Sequence, residues 1–209
     1  MSSRDYRFVT RWRVYGTPGE VFAVLSDPLE LARWWPSVYL AVGEIEPGGP
    51  DGVGRRVALL TRGWLPYTLA WVLRVSRSEP PHLLTVEAEG DLTGQGTWTL
   101  EADGAWVLVT FEWDVRADKP LLAVLSPLLR PVLAANHRWA MARGGESLER
   151  ELARRRALPS EREALPPPPP AARHTGLILA AGAAGVLGLA VLAVQLLSPR
   201  RKRRFSLRG

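Results

Sequence analysis

Residues 121–156 read LLAVLSPLLRPVLAANHRWAMARGGESLERELARRR, and their spacing decides the fold. Apolar or small residues recur at Leu129, Leu133, Ala140, Gly144, Leu148 and Leu152, a spacing that draws one stripe along a helix. Such a stripe needs a surface to cover. Pro127 and Pro131 predict a helix in two or more pieces, broken near the first and bent near the second. Gly144 and Gly145 would each cost about 1 kcal/mol in an exposed helix interior, so they mark a weak point or a place where the sheet or a ligand comes close. The charged last turns, Glu149 to Arg156, are expected to project from the body.

The surface to be covered lies upstream. Tyr6 to Tyr15 reads as a strand with one covered face. Thr17, Pro18 and Glu20 form a helix start, with threonine as cap, proline at the first helical position and glutamate closing a capping box. That helix stops at Ser26–Asp27–Pro28, and a second short helix, Leu29 to Trp34, ends before Pro36. Six further strands are predicted: Tyr39 to Ile45, Gly54 to Leu60, Tyr67 to Ser76, His82 to Ala88, Gly96 to Glu101 and Trp106 to Arg116. The gaps carry glycine, proline or aspartate, and successive hairpins imply an antiparallel sheet with one face to bury.

Downstream the composition changes. Residues 158–174 are a linker whose prolines 166–170 favour a stiff, extended spacer, and a protein partner could bind there. Leu177 to Leu197 is uncharged over 21 residues, with Gln195 its one strongly polar side chain. As a helix it would span roughly 31 Å, the thickness of a bilayer core. A single transmembrane helix is expected over 175–198, followed by a basic tail at 199–209. The soluble region is expected on the cytoplasmic side, because nothing near the N-terminus resembles a signal peptide. The basic residues after the apolar segment point the other way.

The net charge is +6, and Arg200, Arg201, Lys202, Arg203, Arg204 and Arg208 account for all of it. The rest of the chain is neutral, which argues against nucleic acid and suits a tail lying on anionic lipid headgroups. Cysteine is absent, so disulfides, thiolate metal sites and a cysteine nucleophile are excluded. His82, His137 and His174 are too scattered for a histidine metal centre, and neither metal nor cofactor is expected.

The first strand, the stretch Thr17-Pro-Gly-Glu-Val-Phe-Ala-Val-Leu-Ser-Asp-Pro, the sequence Trp34-Trp35-Pro36, and Asn136-His-Arg-Trp-Ala-Met followed by Gly144 and Leu148 resemble the START-like (SRPBCC) superfamily. Within it the likeness is to the bacterial polyketide cyclase/dehydrase and lipid-transport group, over about residues 5–155. The resemblance implies an α+β helix-grip fold over residues 1–157, a curved antiparallel sheet wrapped around the long C-terminal helix with a cavity between them. That fold hosts ligand carriers as well as enzymes, so the resemblance does not choose among functions.

Within such a cavity Trp34, Trp35, Trp71, Trp98 and Trp113 are candidate wall residues, and Tyr67 and Asn136 candidate polar contacts. An enzyme would need a base and an oxyanion partner, for which His137, Glu112 and Arg62 can be written down. Glu112 shares a strand face with Trp106, Leu108, Thr110 and Asp114, opposite Val109, Phe111 and Trp113, which places it towards solvent. Three functions follow: a membrane-tethered module for a lipid, isoprenoid or polyketide-like molecule; a cyclase or dehydratase on an apolar precursor; and a non-catalytic membrane scaffold.

Overall fold

A computed structural model describes residues 5–117 and 120–172. Seven strands form one curved antiparallel sheet: β1 (Asp5–Tyr15), β2 (Tyr39–Glu46), β3 (Arg56–Thr61), β4 (Leu69–Glu79), β5 (Leu83–Gly90), β6 (Leu92–Asp103) and β7 (Trp106–Ala117). Their order is β1-β7-β6-β5-β4-β3-β2, so each strand from β2 to β7 lies beside its sequence neighbour and β1 closes onto β7. Short connections permit nothing else: antiparallel neighbours need only hairpins. The long β1–β7 ladder sets Phe8 opposite Trp113 and Trp12 opposite Val109, and thereby directs one aromatic face inwards.

Between β1 and β2 stand α1 (Pro18–Leu25), a 3-10 turn (Pro28–Glu30) and α2 (Leu31–Trp34). The start of α1 forms the expected capping box: Thr17 Oγ1 accepts the Glu20 N–H, and Glu20 Oε2 accepts the Thr17 N–H. Asp27 caps the 3-10 turn by accepting the Leu29 N–H. Val21, Phe22, Val24, Leu25, Leu31 and Trp34 are buried, so this corner seals one end of the sheet.

The long helix α3 (Pro120–Arg156) is one helix of 37 residues and not two pieces. Each proline removes one i to i−4 bond, Pro127 that to Ala123 and Pro131 that to Pro127, and the helical backbone nevertheless runs through both. Gly144, Ser147, Leu148, Glu151 and Leu152 are buried along the stripe.

The last turns of α3 do not project. Glu151 is 3% exposed and receives Nη1 and Nη2 of Arg33 at 2.8 and 2.7 Å and Nε of Arg155 at 2.6 Å. Arg155 also donates to the Ala23 carbonyl, and Arg156 bonds both carboxylate oxygens of Glu20 and the Tyr15 carbonyl. The charges that look like a solvated end instead fasten α3 to α1 and α2. Beyond them Arg154 donates to the Leu165 carbonyl at 2.7 Å and Arg150 to the Pro167 carbonyl, and Pro169 is buried. The proline run thus lies against the domain as far as Ala172, within the same compact unit. Among the described residues no helix is long and apolar enough to cross a membrane; the expected span and basic tail lie outside them.

Candidate functional site

The inward face of the sheet and the middle of α3 enclose a cavity of about 190 Å³. Period-two alternation delivers its walls: Leu69, Trp71 and Leu73 from β4, Phe111, Trp113 and Val115 from β7, and Trp98 from β6. Leu133, Asn136, His137, Ala140 and Met141 cover it from α3, one helical face at three- and four-residue steps.

Below this level the same stripe leaves no space. Trp35 lies where a Cβ at residue 144 would sit, 2.3 Å from its Cζ2, so the missing side chain of Gly144 is what admits the indole. Trp35 contacts Trp12, Trp34 and Tyr39 at centroid distances of 5.9, 5.4 and 5.2 Å and forms one wall of the cavity. A smaller void of about 30 Å³ lies among Trp34, Trp35, Tyr39, Leu73, Val86 and Trp98.

The polar lining is sparse. Arg62 follows β3, with its backbone N–H on the Val38 carbonyl at 2.9 Å. Its side-chain Nε is buried and has no hydrogen-bond partner. The loop after it is held to α3: Asn136 Oδ1 accepts the Leu65 N–H at 3.2 Å, and Gly63 packs so closely on the same amide that a Cβ would meet it at 2.2 Å. Thr61 Oγ1 accepts the Trp71 indole N–H at 3.0 Å.

His137 stacks on Phe8 with centroids 4.1 Å apart and planes 17° apart, and its Nε2 is buried without a partner. Burial, assisted by the neighbouring Arg138 charge, lowers its pKa to about 4, so the imidazole is neutral at pH 7. Burial pushes the Tyr67 phenol up to about 12, with Tyr6 adding to the effect, and burial raises Tyr39 further. Both shifts keep the phenol protonated.

Of the residues singled out from sequence, Arg62, Tyr67, Trp35, Trp71, Trp98, Trp113, Asn136 and His137 line this cavity together. Trp34 does not; it is 1% exposed and borders the smaller void. Glu112 does not either, for it is exposed on the outer face of β7 between Phe111 and Trp113, whose rings point inwards. A catalytic set of His137, Glu112 and Arg62 therefore does not assemble, because neighbours on a strand face opposite ways. Tyr6, Phe8, Tyr39 and Met141 also line the cavity. Alternation along β1 carries the first two, and Met141 adjoins Ala140 of the stripe.

Residues 7–153 match the family described as polyketide cyclase/dehydrase and lipid transport. Among solved structures, TTHA0849 from Thermus thermophilus superposes with a TM-score of 0.59 at 15% identity, covering 73% of this chain and all of that one. The Zhui aromatase/cyclase from Streptomyces sp. R1128 gives 0.58 at 18% identity over 72% of this chain and 95% of its own. Norcoclaurine synthase from Thalictrum flavum, solved with dopamine and hydroxybenzaldehyde, gives 0.50 at 16% identity over 74% and 90%. At these identities the likeness is one of fold. No curated protein matches the sequence.

Proposed function

The chain belongs to the polyketide cyclase/dehydrase and lipid transport family, and we propose that it is a membrane-anchored module that binds or carries a hydrophobic small molecule. Lipid, isoprenoid or polyketide-like ligands all fit this class. The observation that carries the reading is the cavity between sheet and α3, walled by Trp71, Trp98, Trp113 and Phe111 and bearing few polar groups. Residues 175–198 supply the anchor, residues 199–209 rest on anionic headgroups, and the ligand-binding domain lies on the cytoplasmic side.

The test is to extract the full chain gently and identify co-purifying apolar molecules by mass spectrometry. Wild-type protein is expected to carry one, and Ala140→Phe, which fills the cavity from α3, is expected to lose it while keeping its thermal transition. Repeated absence from the wild type overturns the reading. Protease accessibility of the domain in sealed vesicles checks its side.

A second reading, cyclase or dehydratase chemistry, draws on one observation: neutral His137 and cationic Arg62 line the same cavity. A base and a positive partner suit removal of a proton beside a carbonyl. It requires that His137→Asn abolish turnover of a polyketide-like ketone without weakening its binding.

A further inference from the structure

Donors and acceptors around the cavity do not balance. Among the described residues no aspartate, glutamate or lysine lines it, and Arg62 is the one ionised side chain that does. Among the described residues no carboxylate pairs with Arg62. Its Nε–H and the indole N–H of Trp35 are buried donors without acceptors. Two nearby acceptors are already engaged: Asn136 Oδ1 holds the Leu65 N–H and Thr61 Oγ1 that of Trp71, while Nε2 of His137 lines the cavity with no partner of its own. Arg62 is half-buried with its Nε–H shut off from water, and a buried cationic donor is costly unless an acceptor, best an anion, meets it.

We propose that the ligand is an amphipathic acid, whose carboxylate pairs with the Arg62 guanidinium while its apolar body lies among Trp71, Leu73, Trp98 and Trp113. This rests on the reading of the cavity as a binding site and narrows its ligand class. A carboxylate suits the planar fork of arginine, to which it can bond through two parallel N–H groups. Size limits the apolar part. A dry cavity of about 150 Å³ takes benzene and drug-sized ligands need roughly 300 Å³ or more. The present 190 Å³ therefore fits one ring with a short substituent, or a medium-length chain.

All nine tryptophans fall between Trp12 and Trp139, and four of them line the cavity, so bromine entering it quenches their fluorescence. The experiment titrates the full chain in lipid nanodiscs with 8-bromooctanoate, 8-bromo-1-octanol and 8-bromooctylamine. The acid is expected to bind about tenfold more tightly than the alcohol, and the amine least tightly. Arg62→Met should erase the gap between acid and alcohol while leaving quenching by the alcohol intact, and Arg62→Lys should retain part of it. Equal affinity for acid and alcohol in the wild type, preference for the amine, or an undiminished gap in Arg62→Met overturns the acid assignment and leaves the cavity reading standing. Quenching by none of the three probes overturns both.

Discussion

Glu151 of α3 takes both terminal nitrogens of Arg33 from α2, at 2.7 and 2.8 Å, although 118 residues separate the two in sequence. Trp34 and Trp35 follow Arg33 directly, so this pair fixes the segment that brings the aromatic wall up to α3. Glu151→Gln keeps the shape and removes the charge. Breaking a fully buried pair costs roughly 3–5 kcal/mol, but Arg33 is half exposed, and the expected loss is about 1–3 kcal/mol by urea unfolding.

The same network predicts how stability falls in acid. Burial raises the Glu151 pKa, but hydrogen bonds from Arg33 and Arg155 outweigh it and hold the carboxyl below its usual range. Arg156 and the Thr17 N–H bring Glu20 down to about 2. Carboxylates depressed in the folded state contribute stability above the unfolded pKa of roughly 4.3 and lose it as the pH falls towards 2. Thermal midpoints should drop across that window, and less steeply in Glu20→Gln.

His137 has its own window. Its folded pKa of about 4 lies below the ordinary 6.5, so the unfolded chain binds the proton more readily between these values. Its contribution is fully present above pH 6.5 and is lost as the pH falls through 6.5 towards 4. NMR of the ring C–H should show a midpoint near 4, and one near 6.5 would contradict the burial of the ring in the cavity wall.

Gly144 and Gly145 should respond differently to alanine. Helix propensity favours the change by about 1 kcal/mol at either position. At 144 the new methyl meets the Trp35 indole at 2.3 Å, and overpacking of about 1–3 kcal/mol should exceed that gain. At 145 the nearest atom, on Trp12, is 3.3 Å away, so the change should be close to neutral. Urea midpoints that fall equally in both variants would contradict the close approach of Trp35.

Asn136→Ala removes the acceptor for the Leu65 N–H. Hydrogen exchange across residues 62–68 should quicken by about fivefold to tenfold, as for a lost bond of about 1 kcal/mol, while the sheet is unaffected. Unchanged exchange in the loop would show that contacts other than the Asn136 amide hold it.

Features made by neighbours in sequence were legible there. The Thr17–Glu20 capping box is complete within four residues, and the inward face of β7 follows from the alternation of Val107, Val109, Phe111, Trp113 and Val115. That alternation also set Glu112 outside. The end of α3 was illegible because its charges are satisfied from far away: Arg156 by Glu20, Arg155 by Ala23 and Glu151 by Arg33. A run of arginines carries no sign of such partners. The proline run was equally opaque, since a stiff spacer and a segment held by Arg150 and Arg154 have the same composition. The cavity wall was largely visible, for Trp71, Trp98 and Trp113 alternate correctly, but Tyr39 enters it from the first residue of β2, where no periodicity has yet begun.

Trp35, Tyr39, Leu73, Val86 and Trp98 border both the larger cavity and the 30 Å³ void. They act as a bulkhead one side chain thick, so the room offered to a guest is set by side chains and not by the backbone. Shortening Trp35 would join the two chambers without moving a strand, a cap or an ion pair. Guest length can therefore drift at a single position while the fold stands still.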